Sequence, residues 1–395
     1  MMTGNHDVVV IGGGVTGCAA AYYLASGGAD VVLVERHDLN TQASGRNAGG
    51  LHGQIQHEPF FELGEDWARA FGPAVRLMQD SIDMWAGLER ELGVDLEVSI
   101  GGGLIVASDE RQMHALERKA SIDREFGSEV ELLDRRELQA IAPYVSERMV
   151  GALFCPREGK ANPLLAAPAL ATAASAHGAR VLSQVEVTAI ERLDGGFRLT
   201  TTAGPLSCRS IVDCAGAEIG KVSSLIGHGL EAQSYPIQVY ATEAVEPLVK
   251  HLLYFAGGRL TLKQARYGTL LIGGGWPARC DPDTGRMAVD IPALGENLRQ
   301  AVEVVPRLAG ASLLRTWPGV CPGTADHRPV IGELVPGFFV SMFPFLGFTC
   351  GPIMGRLAAS LVQGQDPGHD LTPFAPDRLV SPPQPPQRQD RQAAA

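Results

Sequence analysis

Three glycines and one glutamate carry the chemistry that is easiest to name. Gly12, Gly14 and Gly17 stand at the spacing G-x-G-x-x-G, directly after the apolar β-branched run 8–11. Glycines so placed allow a tight turn, let backbone approach a pyrophosphate, and let a helix pack closely on a strand. Val15 and Thr16 open the helix expected over 15–25, whose unpaired N–H groups and positive dipole end would face the phosphates. Glu35 ends a second apolar run, followed by Arg36. A carboxylate there accepts hydrogen bonds from both ribose hydroxyls and repels a 2′-phosphate. The set describes a dinucleotide site.

Such a site needs a parallel sheet with helices on its faces, and the rest of the chain is patterned to supply one. Helical patterns cover 61–92, 109–126 and 134–141, with a strand pair over 98–107. An alanine-rich helix at 162–177 leads to a strand at 180–182, and 184–192 and 196–202 alternate like sheet strands. The apolar strand 210–216 ends in a small-residue turn containing Ala215 and Gly216. Residues 235–318 are strand-rich, with strands expected at 237–243, 260–264 and 269–273 and a helix at 291–304; a last helix runs from 347 to 363. The expected fold is α/β. A Rossmann-like nucleotide-binding domain is made of 4–60, 150–225 and 319–371. A substrate domain of antiparallel sheet plus helices is inserted as 61–149 and 226–318. The Pro/Gln-rich tail, 372–395, is expected to be disordered.

Composition narrows the function classes. The chain has 395 residues, enough for two domains each with its own core. Its net charge of -11 argues against nucleic acid as a partner. Seven cysteines are scattered without a C-x-x-C pair. They form neither a disulfide framework nor a zinc site, so no metal is expected, and they suit a reducing cytosol. No basic stretch followed by an apolar one precedes the first strand, and no apolar run reaches the ~18 residues of a membrane helix. The expected location is the cytoplasm, with peripheral membrane association only through a partner.

Five patches, taken together, resemble the superfamily of D-amino-acid oxidase, sarcosine oxidase and glycine oxidase. They are 11–17, 42–49, 211–216, 319–332 and 347–349, in family order across almost the whole chain. The nearest flavour is the flavin subunit of proline, hydroxyproline or opine dehydrogenases. The resemblance implies FAD in extended form, with its adenine end at Gly12–Gly17 and Glu35. It implies that Ser44, Gly45, Arg46, Asn47, Ala48 and Gly49 lie near the pyrophosphate and the ring system, and that the strand holding Val185 meets the adenine through its backbone. Gly347, Phe348 and Thr349 would offer backbone N–H groups to the flavin's pyrimidine edge. Such enzymes oxidise a C–N bond by hydride transfer to flavin, so a glycine-, sarcosine-, proline- or opine-like amine is the expected substrate. Oxygen, a quinone or a partner subunit would accept the electrons, the last in a hetero-oligomer. A nucleotide-binding enzyme using NAD is the alternative.

The chain also departs from the family pattern. Relatives like glycine oxidase hold the substrate carboxylate with an arginine in Gly-Leu-Arg-Pro, where this chain has Gly319-Val320-Cys321-Pro322. Cys321 is then either a thioether link to the flavin, as in monomeric sarcosine oxidases, or a small pocket-lining residue. The usual Gly-His-Gly-Phe reads Phe345-Leu346-Gly347-Phe348. Leu271 falls where the sarcosine branch carries a lysine over the flavin, which favours a dehydrogenase over an oxidase. A replacement cation for a carboxylate would come from Arg259, Lys263, Arg266 or Arg279, for which an arginine fork is the best geometry. Tyr240, Tyr254 and Tyr267 are candidate pocket walls, and His52 is a candidate to face the flavin.

Overall fold

The computed structural model describes residues 5–380. Its first strand, Asn5–Ile11, lies between Val31–Val34 and Gly204–Asp213, parallel to both. Val8 to Ile11 are buried on both faces of the sheet, which is why the run is continuously apolar rather than alternating. Arg180–Leu182 extends the sheet on one side. Gly196–Thr201 and Val187–Leu193 extend it on the other. Phe338–Met342, from the far end of the sequence, adds in parallel to Gly204–Asp213, so the sheet draws strands from three separate stretches of chain.

The first helix, Val15–Ser26, is apolar nearly all round because it is covered on both flanks. On one flank lies the alanine-rich helix Ala166–Ala176; on the other lies Gly347–Val362. The second contact is made at glycines. A Cβ on Gly351 would stand 2.4 Å from a Val15 methyl, and one on Gly355 would stand 2.5 Å from the Ala19 Cβ.

A second sheet of eight strands runs Leu313–Gly323, Gln233–Ala244, Thr269–Gly273, Thr261–Gln264, Leu252–Phe255, Gly103–Ala107, Gly151–Cys155, Glu131–Asp134. It is antiparallel except where Leu252–Phe255 joins Gly103–Ala107. Ile291–Val304 covers one face, capped by the Asp290 carboxylate accepting the Ala293 N–H at 2.9 Å. Among the described residues no helix is long and apolar enough to cross a membrane.

Several expectations need correction. The single helix expected over 61–92 is two, His57–Phe71 and Pro73–Leu92. Pro73 cannot donate the N–H that would continue the first, and a Cβ on Gly72 would strike the Phe126 ring at 2.3 Å. The strand pair over 98–107 divides between two sheets, since Ser99–Ile100 joins Gly159–Lys160 instead. The second sheet takes Gly151–Cys155 and all of Leu313–Gly323, so the chain changes sheets after 155 and 323 rather than at 150 and 319. Pro73–Leu92 packs on the first domain's C-terminal helix, with the Trp85 and Phe348 rings 4.9 Å apart. The tail expected to be disordered from 372 starts ordered: Phe374 is 1% exposed, and Arg378 pairs with Asp326 at 3.0 Å. Residues 381–395 of that tail lie outside the described residues.

Candidate active site

The first turn is tight because its glycines leave no room for side chains. Gly12 sits at φ +110°, and a Cβ on Gly17 would lie 1.9 Å from the Gly12 carbonyl oxygen. Glu35 is fixed by two backbone donors, Gly13 at 2.7 Å and His37 at 2.8 Å, one on each oxygen. Each oxygen keeps a second lone pair for a ribose hydroxyl. The Ser44 hydroxyl accepts the Val15 N–H at 3.0 Å, tying the short helix Ala43–Arg46 to the first helix's N-terminus.

A cavity of about 510 Å³ starts at this turn and ends between the two sheets. Gly12, Gly14, Thr16, Glu35 and Arg36 line its first part, with Ala215 and Gly216 packed beside Gly12. Ser44, Arg46 and Asn47 line its middle, and Cys321, Gly347 and Phe348 its far end. Val185 also lines it, ahead of the strand Val187–Leu193 rather than within it. Its N–H is taken by the Glu35 carbonyl at 2.9 Å, which leaves only its carbonyl for an adenine. Gly17, Gly45, Gly49 and Thr349 shape the walls from behind. A Cβ on Gly45 would lie 1.8 Å from the Asn40 carbonyl, and one on Gly49 2.2 Å from that of Ala161. Ala48 is half-buried in the same turn. The Asn47 side chain serves the turn itself, accepting the Gly49 N–H at 2.6 Å, and its own N–H goes to the Ala43 carbonyl at 3.2 Å, so only its carbonyl is free for a ligand.

The far end corrects the sequence reading in several places. Burial pushes the Cys321 thiol up to about 12, opposed only by the Phe345 N–H. A thiol so raised is a poorer source of the thiolate that a flavin link needs, and we read Cys321 as a pocket-lining residue. Arg259, Arg266 and Arg279 are absent from the cavity lining and engaged elsewhere, with Glu62 at 3.0 Å, Asp95 at 3.1 Å and Asp290 at 2.9 Å. Tyr240 faces away from Ile237 and Val239, which do line the cavity, and is buried in the second domain's core. Tyr267 is 76% exposed.

Lys263 is the cation that remains. It is 3% exposed, on Thr261–Gln264, and pairs across the sheet with Leu271. Paired residues present side chains to one face, so the lysine missing at 271 has a neighbour of the same charge one strand away. A Cβ on Gly50 would lie 2.7 Å from His52 Nε2 and 3.1 Å from Lys263 Nζ, so the two side chains close tightly over the bare glycine, just behind the cavity lining rather than within it. Neither atom has a hydrogen-bond partner among the described residues. The pair is tied to the cavity's end: Thr349, next to Phe348, donates its hydroxyl to the Gly50 carbonyl and accepts the His52 N–H, both at 3.1 Å. Burial, aided by Lys160, lowers Lys263 to about 7; burial, aided by Lys263, lowers His52 to about 3.

Sequence reasoning missed Phe345 and Glu158. Phe345 adopts φ +59°, a left-handed conformation that costs a bulky residue about 1–2 kcal/mol. Its ring lies 4.6 Å from that of His327 and 5.1 Å from that of Tyr235. Its replacement of the first glycine in Gly-His-Gly-Phe was the available signal. For Glu158 there was none, since its burial comes from three elements meeting around it.

The comparisons agree with this geometry. Residues 7–361 match the family described as DAO, FAD dependent oxidoreductase. The chain belongs to the DAO family. It is similar to the glycine oxidase of Geobacillus kaustophilus (strain HTA426), 28% identical over 96% of this chain and 98% of that protein. It is also similar to the sarcosine oxidase subunit beta of Rhizobium meliloti (strain 1021), 24% identical over 95% of this chain and 88% of that one. The crystal structure of glycine oxidase from Geobacillus kaustophilus superposes with a TM-score of 0.84 at 26% identity, covering 96% of this chain and all of that one. This DAO-family chain is an FAD-dependent oxidoreductase, which removes the NAD alternative. The cradle fits FAD: unencumbered glycines at the pyrophosphate turn, an anchored Glu35 and a helix N-terminus at each end.

Proposed function

We propose that the chain oxidises the C–N bond of an amino acid or secondary amine of glycine-, sarcosine-, proline- or opine-like structure. Bound FAD supplies the hydride acceptor. The observation that carries this reading is Lys263, a buried amine with no hydrogen-bond partner among the described residues, held beside the His52 imidazole just behind the cavity's end. A substrate carboxylate beside Lys263 would favour its charged form, restoring the charge that burial suppresses. Gly347–Val362 presents its N-terminus at the cavity's end, where its dipole favours negative charge. The cavity's far wall, including Phe345, Phe348 and Cys321, excludes water around the reacting carbon. The likeness to glycine oxidase and to a sarcosine oxidase subunit supports the same substrate class.

Anaerobic titration of the purified, FAD-loaded protein with amino acids, N-methyl amino acids and opines tests it. The flavin absorbance should bleach with one substrate class, and admitting air should then separate oxygen from a quinone or protein as acceptor. A flavin that no amine bleaches overturns the reading. The likeness to a protein named as a subunit supports a second reading, in which this chain works beside a partner; isolation from its native source without a stoichiometric companion would refute that.

A further inference from the structure

The turn that ends the cavity is loosely tied to its own helix. Gly347 and Phe348 line the cavity, and Gly347–Val362 begins there. The first N–H groups of a helix have no intrahelical acceptor, so they are available to a ligand. Pro352 stands inside the same helix. It has no N–H to give the Phe348 carbonyl, and its ring crowds that carbonyl. The first turn therefore lacks one of the bonds that would bind it to the next.

Other parts of the chain hold it instead, and they do so at one residue. Thr349 is the third residue of the turn and is fully buried. Its hydroxyl donates to the Gly50 carbonyl and accepts the His52 N–H, both at 3.1 Å. Its carbonyl accepts the Ser81 hydroxyl at 2.7 Å and the Trp85 indole N–H at 2.8 Å. Ser81 and Trp85 are four residues apart on Pro73–Leu92, hence on one face of that helix, and both are fully buried. The opposite support is itself anchored. His52 Nδ1 lies 2.6 Å from the Tyr254 hydroxyl. Just beyond, the Glu158 carboxyl accepts the Gly53 N–H at 2.8 Å, and the Asp123 carboxyl accepts that of Ile55 at 2.9 Å. An apolar contact of the same shape at Thr349 would be about as stable as these paired polar groups. What the polar contacts add is direction.

We propose that Thr349, bracketed by Ser81 and Trp85 on one side and by Gly50 and His52 on the other, sets the reduction potential of bound FAD. Thr349, Ser81 and Trp85 are positioning residues. They act through the first turn of Gly347–Val362, whose N–H groups and positive dipole end lie at the cavity's end. Reduced flavin carries more negative charge than oxidised flavin, so a well-aimed turn favours reduction. A loosened turn loses that preference, and the potential falls. The inference needs the ring system of FAD at the cavity's far end; it does not depend on which amine is oxidised.

The test is the midpoint potential of FAD in the loaded full chain, taken by anaerobic reduction with dithionite against a reference dye, with no amine present. Thr349→Val removes the hydroxyl at nearly constant shape, whereas Thr349→Ser keeps it. Thr349→Val should weaken binding of reduced flavin about tenfold relative to oxidised flavin, a fall of about 30 mV for a two-electron couple. Thr349→Ser should stay near the native value. Ser81→Ala and Trp85→Phe each remove one donor to the Thr349 carbonyl and should lower the potential in the same direction. They decide the matter if Thr349→Val does not take up FAD. Val304→Ala, in the fully buried core beside the second sheet, should melt earlier yet keep the native potential, which separates lost aim from lost stability. A native potential in Thr349→Val, or in both Ser81→Ala and Trp85→Phe, overturns the assignment. Equal shifts in Thr349→Val and Thr349→Ser overturn it too, since the hydroxyl would then not matter. Failure of every amine to bleach the flavin would sink the functional reading and leave this result standing.

Discussion

Glu35 shows how one side chain does two jobs. Its oxygens hold the Gly13 and His37 N–H groups, and we propose that the same oxygens take the ribose. Glu35→Ala should therefore weaken FAD binding by about 1.5–3 kcal/mol, roughly 10- to 100-fold in affinity. Fluorescence titration of flavin-free protein would measure it; unchanged affinity would mean that the ribose lies elsewhere. The tight glycine turn and the position of Glu35 beside it were legible in the sequence because they depend on local backbone geometry. Lys263 was only one of four candidate cations, because burial is decided by packing. Arg259, Arg266 and Arg279 lie near it in sequence, yet each meets an acidic partner supplied from another segment.

At the scale of elements, the helix Gly347–Val362 couples the fold to the site. It touches Val15–Ser26 through Gly351 and Gly355, and its own first turn forms the cavity's end. Gly355→Ala should cost about 1–3 kcal/mol by overpacking. It should also perturb the visible spectrum of bound flavin, because moving the helix moves Gly347–Thr349. Gly295→Ala is the contrast: it sits in Ile291–Val304 with nothing within 4 Å of its added Cβ. That change should stabilise by roughly 0.4–1 kcal/mol and leave the flavin spectrum alone. Thermal melts and absorbance spectra check both. The order of strand, turn, helix and strand around residues 5–34 was readable because strong apolar runs and glycines mark it. The strands Glu131–Asp134, Gly151–Cys155 and Leu252–Phe255 were not. They are short, lie within or beside turn-rich segments, and owe their pairing to residues far away in sequence.

The molecule is built on two eight-stranded sheets with the cofactor cavity between them, so ligand and fold should be thermodynamically linked. FAD at a hundred times its dissociation constant adds about 2.7 kcal/mol to stability. With an unfolding entropy of about 2.1 cal/mol/K per residue over 395 residues, that is a rise in melting temperature of about 3 °C. Scanning calorimetry with and without FAD would show it, and coincident melts would deny the linkage. The discontinuity of the first sheet reaches further, into how the protein is made. Its strand Phe338–Met342 pairs with Gly204–Asp213, which pairs with Asn5–Ile11. On a translating ribosome, with roughly 5–20 residues added per second, the earlier strands wait on the order of ten seconds for the last to emerge. During that interval Gly347 and its helix are not yet there to close the cavity. Newborn chains thus acquire their yellow colour only once that helix has formed, and a nascent polypeptide halted before residue 338 would expose an unpaired, apolar strand edge suited to a chaperone.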